Sequence, residues 1–139
     1  MLKIVVDTNV LVSALIQRGY PYLIVDAVFA DSAIEVCLSD ALFAEYVDVL
    51  NRERFAKFAN FIANAQLLLT DLEARAVKYH PINQLHIIND KSDNKLLELA
   101  EISKAHYLIT GNTNDFTMHY FQGTEIVTPK AFWELYLEK

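Results

Sequence analysis

The sequence contains few of the residue types that several classes of protein require. Cys37 is the one cysteine among 139 residues, so no disulfide can form within the chain. Three glycines and three prolines are too few for a collagen-like repeat or a long flexible linker. Hydrophobic residues make up 53% of the chain and charged residues 22%, which argues against disorder. This composition predicts one folded domain spanning residues 1–139.

Basic residues and long apolar runs are also scarce. There are 12 lysines and arginines against 18 acidic residues, a formal net charge of −6. Because basic surfaces normally bind polyanions, an acidic chain would bind nucleic acid only at a local or metal-mediated site. No apolar run approaches the roughly 20 residues of a membrane span, and the first residues lack the pattern of a signal peptide. We therefore expect a soluble, cytoplasmic protein with no membrane partner.

Short apolar segments alternate with segments of helical periodicity along the chain. Strands are predicted at 2–6, 33–38, 106–110 and 125–127, and helices at 9–17, 21–30, 39–55, 60–79, 92–105 and from 129 onward. Residues 83–90 fit either a strand or a loop. Short strands that are apolar on both faces and alternate with helices predict an α/β domain with a mainly parallel sheet covered by helices.

Acidic residues recur where the functional edge of such a sheet is expected. Ligands bind outside the carboxyl ends of parallel strands, and Asp7 directly follows the first strand. A helical projection places Glu45 at the border of the buried face of its helix, Asp48 on the opposite side, and Asp93 on the inward face of another helix. Three carboxylates at one edge would repel one another unless a cation compensated them. Oxygen ligands favour Mg²⁺ or Mn²⁺ over zinc.

Each acid also has a purely structural interpretation. Asp7 and Asp93 are suited to capping or stabilising the start of the helix that follows or contains them. Glu45 alone is more typical of a surface carboxylate at a helix margin than of a metal ligand. The four histidines show no spacing of a zinc site.

Four segments in order resemble a known family. They are "IVVDTNVLVSAL", "SDALFAEYVDVLNRERF", "DKSDNKLLELA" and "AHYLITGNTNDF", and together they extend over nearly the whole chain. These segments resemble the PIN-domain family, and particularly its toxins of toxin–antitoxin pairs. The resemblance implies a three-layer α/β/α sandwich with a central parallel sheet and a Mg²⁺ or Mn²⁺ site that hydrolyses RNA phosphodiesters. It also implies a homodimer and a cognate antitoxin protein that covers the site.

The resemblance assigns roles to individual residues. Asp7, Glu45 and Asp93 match the first three acids of the family and are implied as catalytic and metal-binding. Thr8 and Asn9 would support Asp7, although both residue types also cap helices.

The end of the third predicted strand departs from the family pattern. Thr110 would lie at the edge of the site, with strand-end hydrogen bonding as its alternative role. Asn112 stands where the family often has an aspartate, and no proline follows Asp90 where one is common. An amide supplies an oxygen ligand without negative charge. Asp115 would then act as a further metal ligand, unless it caps a turn.

Two other functions compete with a ribonuclease. The neutral Asn112 motivates a PIN-like module that binds RNA or a protein without cutting. A metal-dependent phosphatase of the haloacid dehalogenase type also begins with an aspartate after a strand. That chemistry requires a second nearby aspartate, which "DTN" lacks.

Overall fold

The computed structural model describes residues 1–88, 91–112, 116 and 118–138, and only the backbone of Lys91 and Ser92. The strands are β1 (Leu2–Val6), β2 (Ile34–Leu38), β3 (Val77–Lys78), β4 (Tyr107–Ile109), β5 (Tyr120–Phe121) and β6 (Thr124–Val127). The helices are α1 (Thr8–Ile16), α2 (Tyr20–Ala30), α3 (Asp40–Leu50), α4 (Phe61–Arg75), α5 (Lys91–Ser103) and α6 (Pro129–Leu137), with a 3₁₀ turn at Glu53–Phe55.

The described strands form one sheet in the order β3-β2-β1-β4-β6-β5. Every neighbouring pair is parallel except β5 and β6, which are antiparallel at one edge. Ile4 and Val5 are both fully buried although successive residues of a strand point to opposite faces. Helices therefore cover both faces, and the predicted α/β/α sandwich with a mainly parallel sheet is confirmed.

Several predicted boundaries differ from the observed ones. The predicted helix 39–55 ends at Leu50, and the predicted helix 60–79 ends at Arg75. β3 and β5 were not predicted, because two residues are too short to carry a periodic pattern. Across the described ranges, no helix combines the length and hydropathy needed to cross a membrane.

A hydroxyl caps two of the helices that start immediately after strands. The Ser39 hydroxyl accepts a hydrogen bond from the Leu42 amide at 3.1 Å, directly after β2. The Thr128 hydroxyl accepts one from the Ala131 amide at 3.1 Å, directly after β6. Such caps satisfy amide groups that have no partner within the helix. The cap at Ser39 fixes the start of α3 at the carboxyl edge of the sheet.

The irregular segment before α5 is fastened to that helix by side chains. The Asn94 side-chain oxygen accepts hydrogen bonds from the amides of Ile87 and Ile88 at 3.1 and 2.9 Å, and its amide group donates to the Ile88 carbonyl at 2.7 Å. A helical projection alone places Glu98 on the solvent side, but its carboxylate accepts from the Leu85 amide at 2.9 Å. Both contacts are structural and hold residues 85–88 against α5.

Removing the buried Asn94 side chain should release this segment. Asn94→Ala loses three hydrogen bonds to Ile87 and Ile88, and we expect it to lower the free energy of unfolding by about 2 kcal/mol. Amide hydrogen exchange at Ile87 and Ile88 should accelerate. Asn83→Ala is the control, because it removes only an exposed hydrogen bond to Glu101. Unchanged exchange at both isoleucines in Asn94→Ala would contradict this account.

Candidate functional site

The site begins where β1 and β4 end side by side. Val6 and Ile109 are register partners, and the Asp7 amide donates to the Ile109 carbonyl at 2.9 Å. The Thr110 hydroxyl donates to Asp7 Oδ2 at 2.8 Å, and the two residues are 0% and 6% exposed, respectively. The Asp7 side chain makes no capping hydrogen bond to α1. Asp7 occupies the N-cap position of α1, but the side-chain hydrogen bond that holds its carboxylate comes from Thr110 at the end of the neighbouring strand.

Glu45 reaches the same edge from α3. The Thr8 hydroxyl donates to Glu45 Oε2, and Thr8 is the residue next to Asp7. Asp48 is exposed on the other side of the helix, where it forms an ion pair with Arg52 at 3.1 Å. The different orientations predicted for Glu45 and Asp48 are confirmed. Thr8 thus supports the Glu45 carboxylate directly.

Tyr46 fixes the position of Glu45 relative to β1. Its side chain is fully buried, and its hydroxyl donates to the Val6 carbonyl at the end of the strand. Burial raises the pKa of Tyr46 well above its ordinary value, and the charges of Asp7 and Glu45 add to the effect. A helical projection places Tyr46 on the buried face of its helix but does not identify the partner of its hydroxyl. The available signal was its hydroxyl, which needs a partner when the ring is buried.

Burial is also the main influence on Asp7. Desolvation raises the pKa of Asp7, the Thr110 hydrogen bond lowers it, and the negative charge of Glu45 raises it again. The backbone N–H groups of Thr8 and Asn9 lower the pKa further. The net shift is upward, so the ionised form of Asp7 is disfavoured when no cation is bound nearby.

Lys95 supplies the positive charge that the described site contains. Its ammonium lies 2.9 Å from Glu45 Oε1 and joins α5 to α3. The side chains of Lys95 and Glu45 are 25% and 19% exposed, so this ion pair is largely shielded from solvent. Sequence reasoning missed Lys95, because a helical projection follows the helix surface and does not predict where a long flexible side chain ends.

Asp93 lies in the first turn of α5 and is buried. α5 precedes the parallel strand β4, so it runs antiparallel to the strands and begins at their carboxyl edge. The start of a helix favours a negative charge. Asp93 therefore belongs to the same edge of the sheet as Asp7.

The other predicted residues lie around this edge or outside the described part. Asn9 is exposed. Asn112 is exposed too, and its backbone amide donates to the Thr110 hydroxyl at 3.1 Å. Thr110 thus forms hydrogen bonds at the end of its strand, as its structural interpretation predicts, and its hydroxyl also holds the Asp7 carboxylate. Asp115 and Asp90 lie outside the described residues.

The sequence model of the PIN domain matches residues 3–114. The chain belongs to the PIN-domain family. An uncharacterized protein of Methanocaldococcus jannaschii, MJ1680, is 30% identical over 142 residues, covering 96% of this chain and 90% of the relative. The predicted membership of this family is confirmed. PIN domains are generally nucleases.

The donor chemistry of this PIN domain fits a hard divalent cation. Within residues 1–88, 91–112, 116 and 118–138, no three acidic, histidine or cysteine side chains form a ready metal-binding cluster. Mg²⁺, however, is usually bound by one or two carboxylates together with waters and substrate phosphates. Asp7 and Glu45 provide oxygen ligands whose mutual repulsion a cation would relieve. Direct binding of a metal by Asp7, Glu45 and Asp93 stays a prediction.

The raised pKa of Asp7 predicts how its replacement changes stability with pH. A group whose pKa is higher in the folded protein stabilises it fully below the ordinary value, here 3.8, and loses that contribution as pH rises through the raised pKa. Asp7→Asn keeps an oxygen for Thr110 and removes the buried charge. In EDTA, Asp7→Asn should therefore raise the melting temperature by a few degrees at pH 7 and progressively less toward pH 4.

The control for this experiment is Asp48→Asn, which removes an exposed carboxylate from a surface ion pair. Such pairs contribute little to stability, so the melting temperature should change little. A lower melting temperature for Asp7→Asn at pH 7 would show that burial of this carboxylate is fully compensated in the metal-free protein.

Proposed function

We propose that this PIN domain is a Mg²⁺- or Mn²⁺-dependent endoribonuclease that hydrolyses RNA phosphodiester bonds. The observation that carries the proposal is the pairing of the buried carboxylate of Asp7 with Glu45 at the carboxyl edge of the sheet. Burying like charges together is unfavourable, and it is typical of sites that bind cations or perform acid–base chemistry. The general nuclease activity of the family supports the same conclusion.

Each residue of the site has a part in this function. Asp7, Glu45 and Asp93 would hold the metal, with Asp115 as a further candidate ligand. The bound metal would supply an activated water and neutralise the negative charge of the scissile phosphate. Thr110 fixes one oxygen of Asp7, and Thr8 fixes one oxygen of Glu45. Their hydroxyls therefore orient the two carboxylates before substrate arrives.

The biological role proposed is that of the toxin in a toxin–antitoxin pair. The four matching sequence segments support it, and the partners it requires are RNA, a second copy of the chain and a cognate antitoxin protein, all in the cytoplasm. This role requires a small neighbouring open reading frame whose product binds this chain and inhibits cleavage.

A weakened PIN-like module that binds RNA or protein without cleavage is the second candidate. It is favoured by the ion pair of Lys95 with Glu45, which engages a carboxylate that the nuclease would need for its metal, and by the neutral Asn112. Binding of RNA without any metal-dependent cleavage would distinguish this module from the nuclease.

The first test of the proposed function is cleavage of an unstructured RNA. The wild type should cut it in Mg²⁺ or Mn²⁺ and lose activity in EDTA. Asp7→Asn and Glu45→Gln should each reduce the rate by roughly 100-fold or more, because each removes a charge that holds the metal. Asp48→Asn is the matched control and should keep wild-type activity. Cleavage that persists in EDTA, or an equal loss in Asp48→Asn, would refute the proposed mechanism.

The second test concerns Asn112 beside Thr110. Asn112→Asp preserves the side-chain shape and adds a negative charge at the edge of a hard-cation site. Calorimetric titration should show Mn²⁺ binding about tenfold tighter, which corresponds to about 1.4 kcal/mol. Asn51→Asp adds the same charge at the opposite end of α3 and should bind Mn²⁺ like the wild type. Equal affinities for Asn112→Asp and the wild type would place residue 112 outside the metal site.

A further inference from the structure

We propose that Lys95 is a built-in counter-ion for Glu45, which a divalent cation must displace in order to bind. The inference rests on the proposed metal dependence and adds to it a residue that sets metal affinity. Lys95 would hold the Glu45 carboxylate in place and compensate its charge while the site contains no metal.

The contacts of Glu45 show that Lys95 and a metal would compete for the same carboxylate. Lys95 Nζ lies 2.9 Å from Oε1, and the Thr8 hydroxyl donates to Oε2, so both carboxylate oxygens already have a partner. A metal that binds Glu45 must therefore share the carboxylate with these two partners or displace one of them. Thr8 is neutral and its hydroxyl can rotate in place. The ammonium of Lys95 carries a charge that repels the incoming cation, so Lys95 is the partner whose displacement favours metal binding.

The ion pair is shielded enough for the competition to matter. Exposed ion pairs contribute little, because water and salt screen them. The side chains of Lys95 and Glu45 are 25% and 19% exposed, respectively, and the charge of Glu45 also acts on Asp7. Removing the ammonium would leave a partly buried carboxylate beside another carboxylate. Both would then attract a divalent cation more strongly.

Lys95 has a place to go when it is displaced. A cavity of about 260 Å³ adjoins it, lined also by Asp40, Tyr79, His80 and Glu98. Glu98 lies three residues after Lys95 on α5, a spacing at which side chains of opposite charge interact on a helix. When a metal displaces the ammonium from Glu45, the ammonium can therefore form an ion pair with Glu98. Displacement then does not leave the ammonium buried without a partner.

The test compares metal binding with stability in the metal-free protein. Lys95→Met keeps an apolar stem and removes the charge. Calorimetry after removal of metal by EDTA should show Mn²⁺ binding to Lys95→Met about tenfold more tightly than to the wild type. In EDTA the melting temperature of Lys95→Met should fall, and saturating Mn²⁺ should raise it by more than it raises that of the wild type.

Two variants separate this role from simpler ones. Lys78→Met removes the same charge from a nearby exposed pair with Asp40, and it should bind Mn²⁺ like the wild type. Lys95→Arg keeps the charge and should not bind the metal more tightly. If Lys95→Met fails to fold, Lys95→Gln provides the same comparison.

Every outcome decides between the alternatives. Tighter binding confined to the neutral variants at position 95 supports the proposal, including the case where the wild type binds no metal. Equal metal affinity in wild type and Lys95→Met, equal tightening in Lys78→Met, or equal loss of stability with and without Mn²⁺ would overturn it while leaving the metal-dependent nuclease intact. Absence of metal binding in every variant would overturn the proposed metal dependence together with this inference.

Discussion

At the carboxyl edge of the sheet, the buried carboxylate of Asp7 and the partly buried carboxylate of Glu45 repel each other. The surrounding structure must compensate this repulsion. Neither charge would persist there without compensation, because burial removes the water that normally stabilises an ionised carboxylate. The protein supplies that compensation through one hydroxyl on each acid, from Thr110 and Thr8, and through the ammonium of Lys95. The site is therefore held together by interactions that a bound cation would partly replace.

The two carboxylates lie where several strands and helices meet, and the contacts among these elements offset the repulsion. Parallel pairing of β1 with β4 brings Asp7 next to Thr110, although 103 residues separate them in sequence. The Ser39 cap starts α3 at the same edge, and the hydroxyl of buried Tyr46 fastens that helix to the end of β1. The extensive apolar burial around these contacts opposes the electrostatic cost.

Sequence periodicity could predict those parts of the molecule that depend on local patterns. β1, β2, the start of α3 and the opposite orientations of Glu45 and Asp48 follow from short apolar runs, capping residues and helical projection. β3, the partner of the Tyr46 hydroxyl and the contact of Lys95 with Glu45 could not be predicted in this way. Each of them depends on a long-range contact, and Lys95 reaches Glu45 across 50 positions of sequence. The segments that match the family pointed to the acidic residues but not to the ammonium of Lys95 that lies beside Glu45.

The charge balance of the site bears on how an acidic chain could bind RNA. With both carboxylates ionised, Asp7, Glu45 and one ammonium leave an excess of negative charge, which repels phosphate. Under the proposed function, a divalent cation offsets that negative charge and releases the ammonium of Lys95 from Glu45 as well. Metal and RNA would then each strengthen the binding of the other, because a free-energy coupling between two ligands is reciprocal. The scarcity of basic residues is consistent with this mechanism, since attraction for RNA would arise chiefly where the metal is bound.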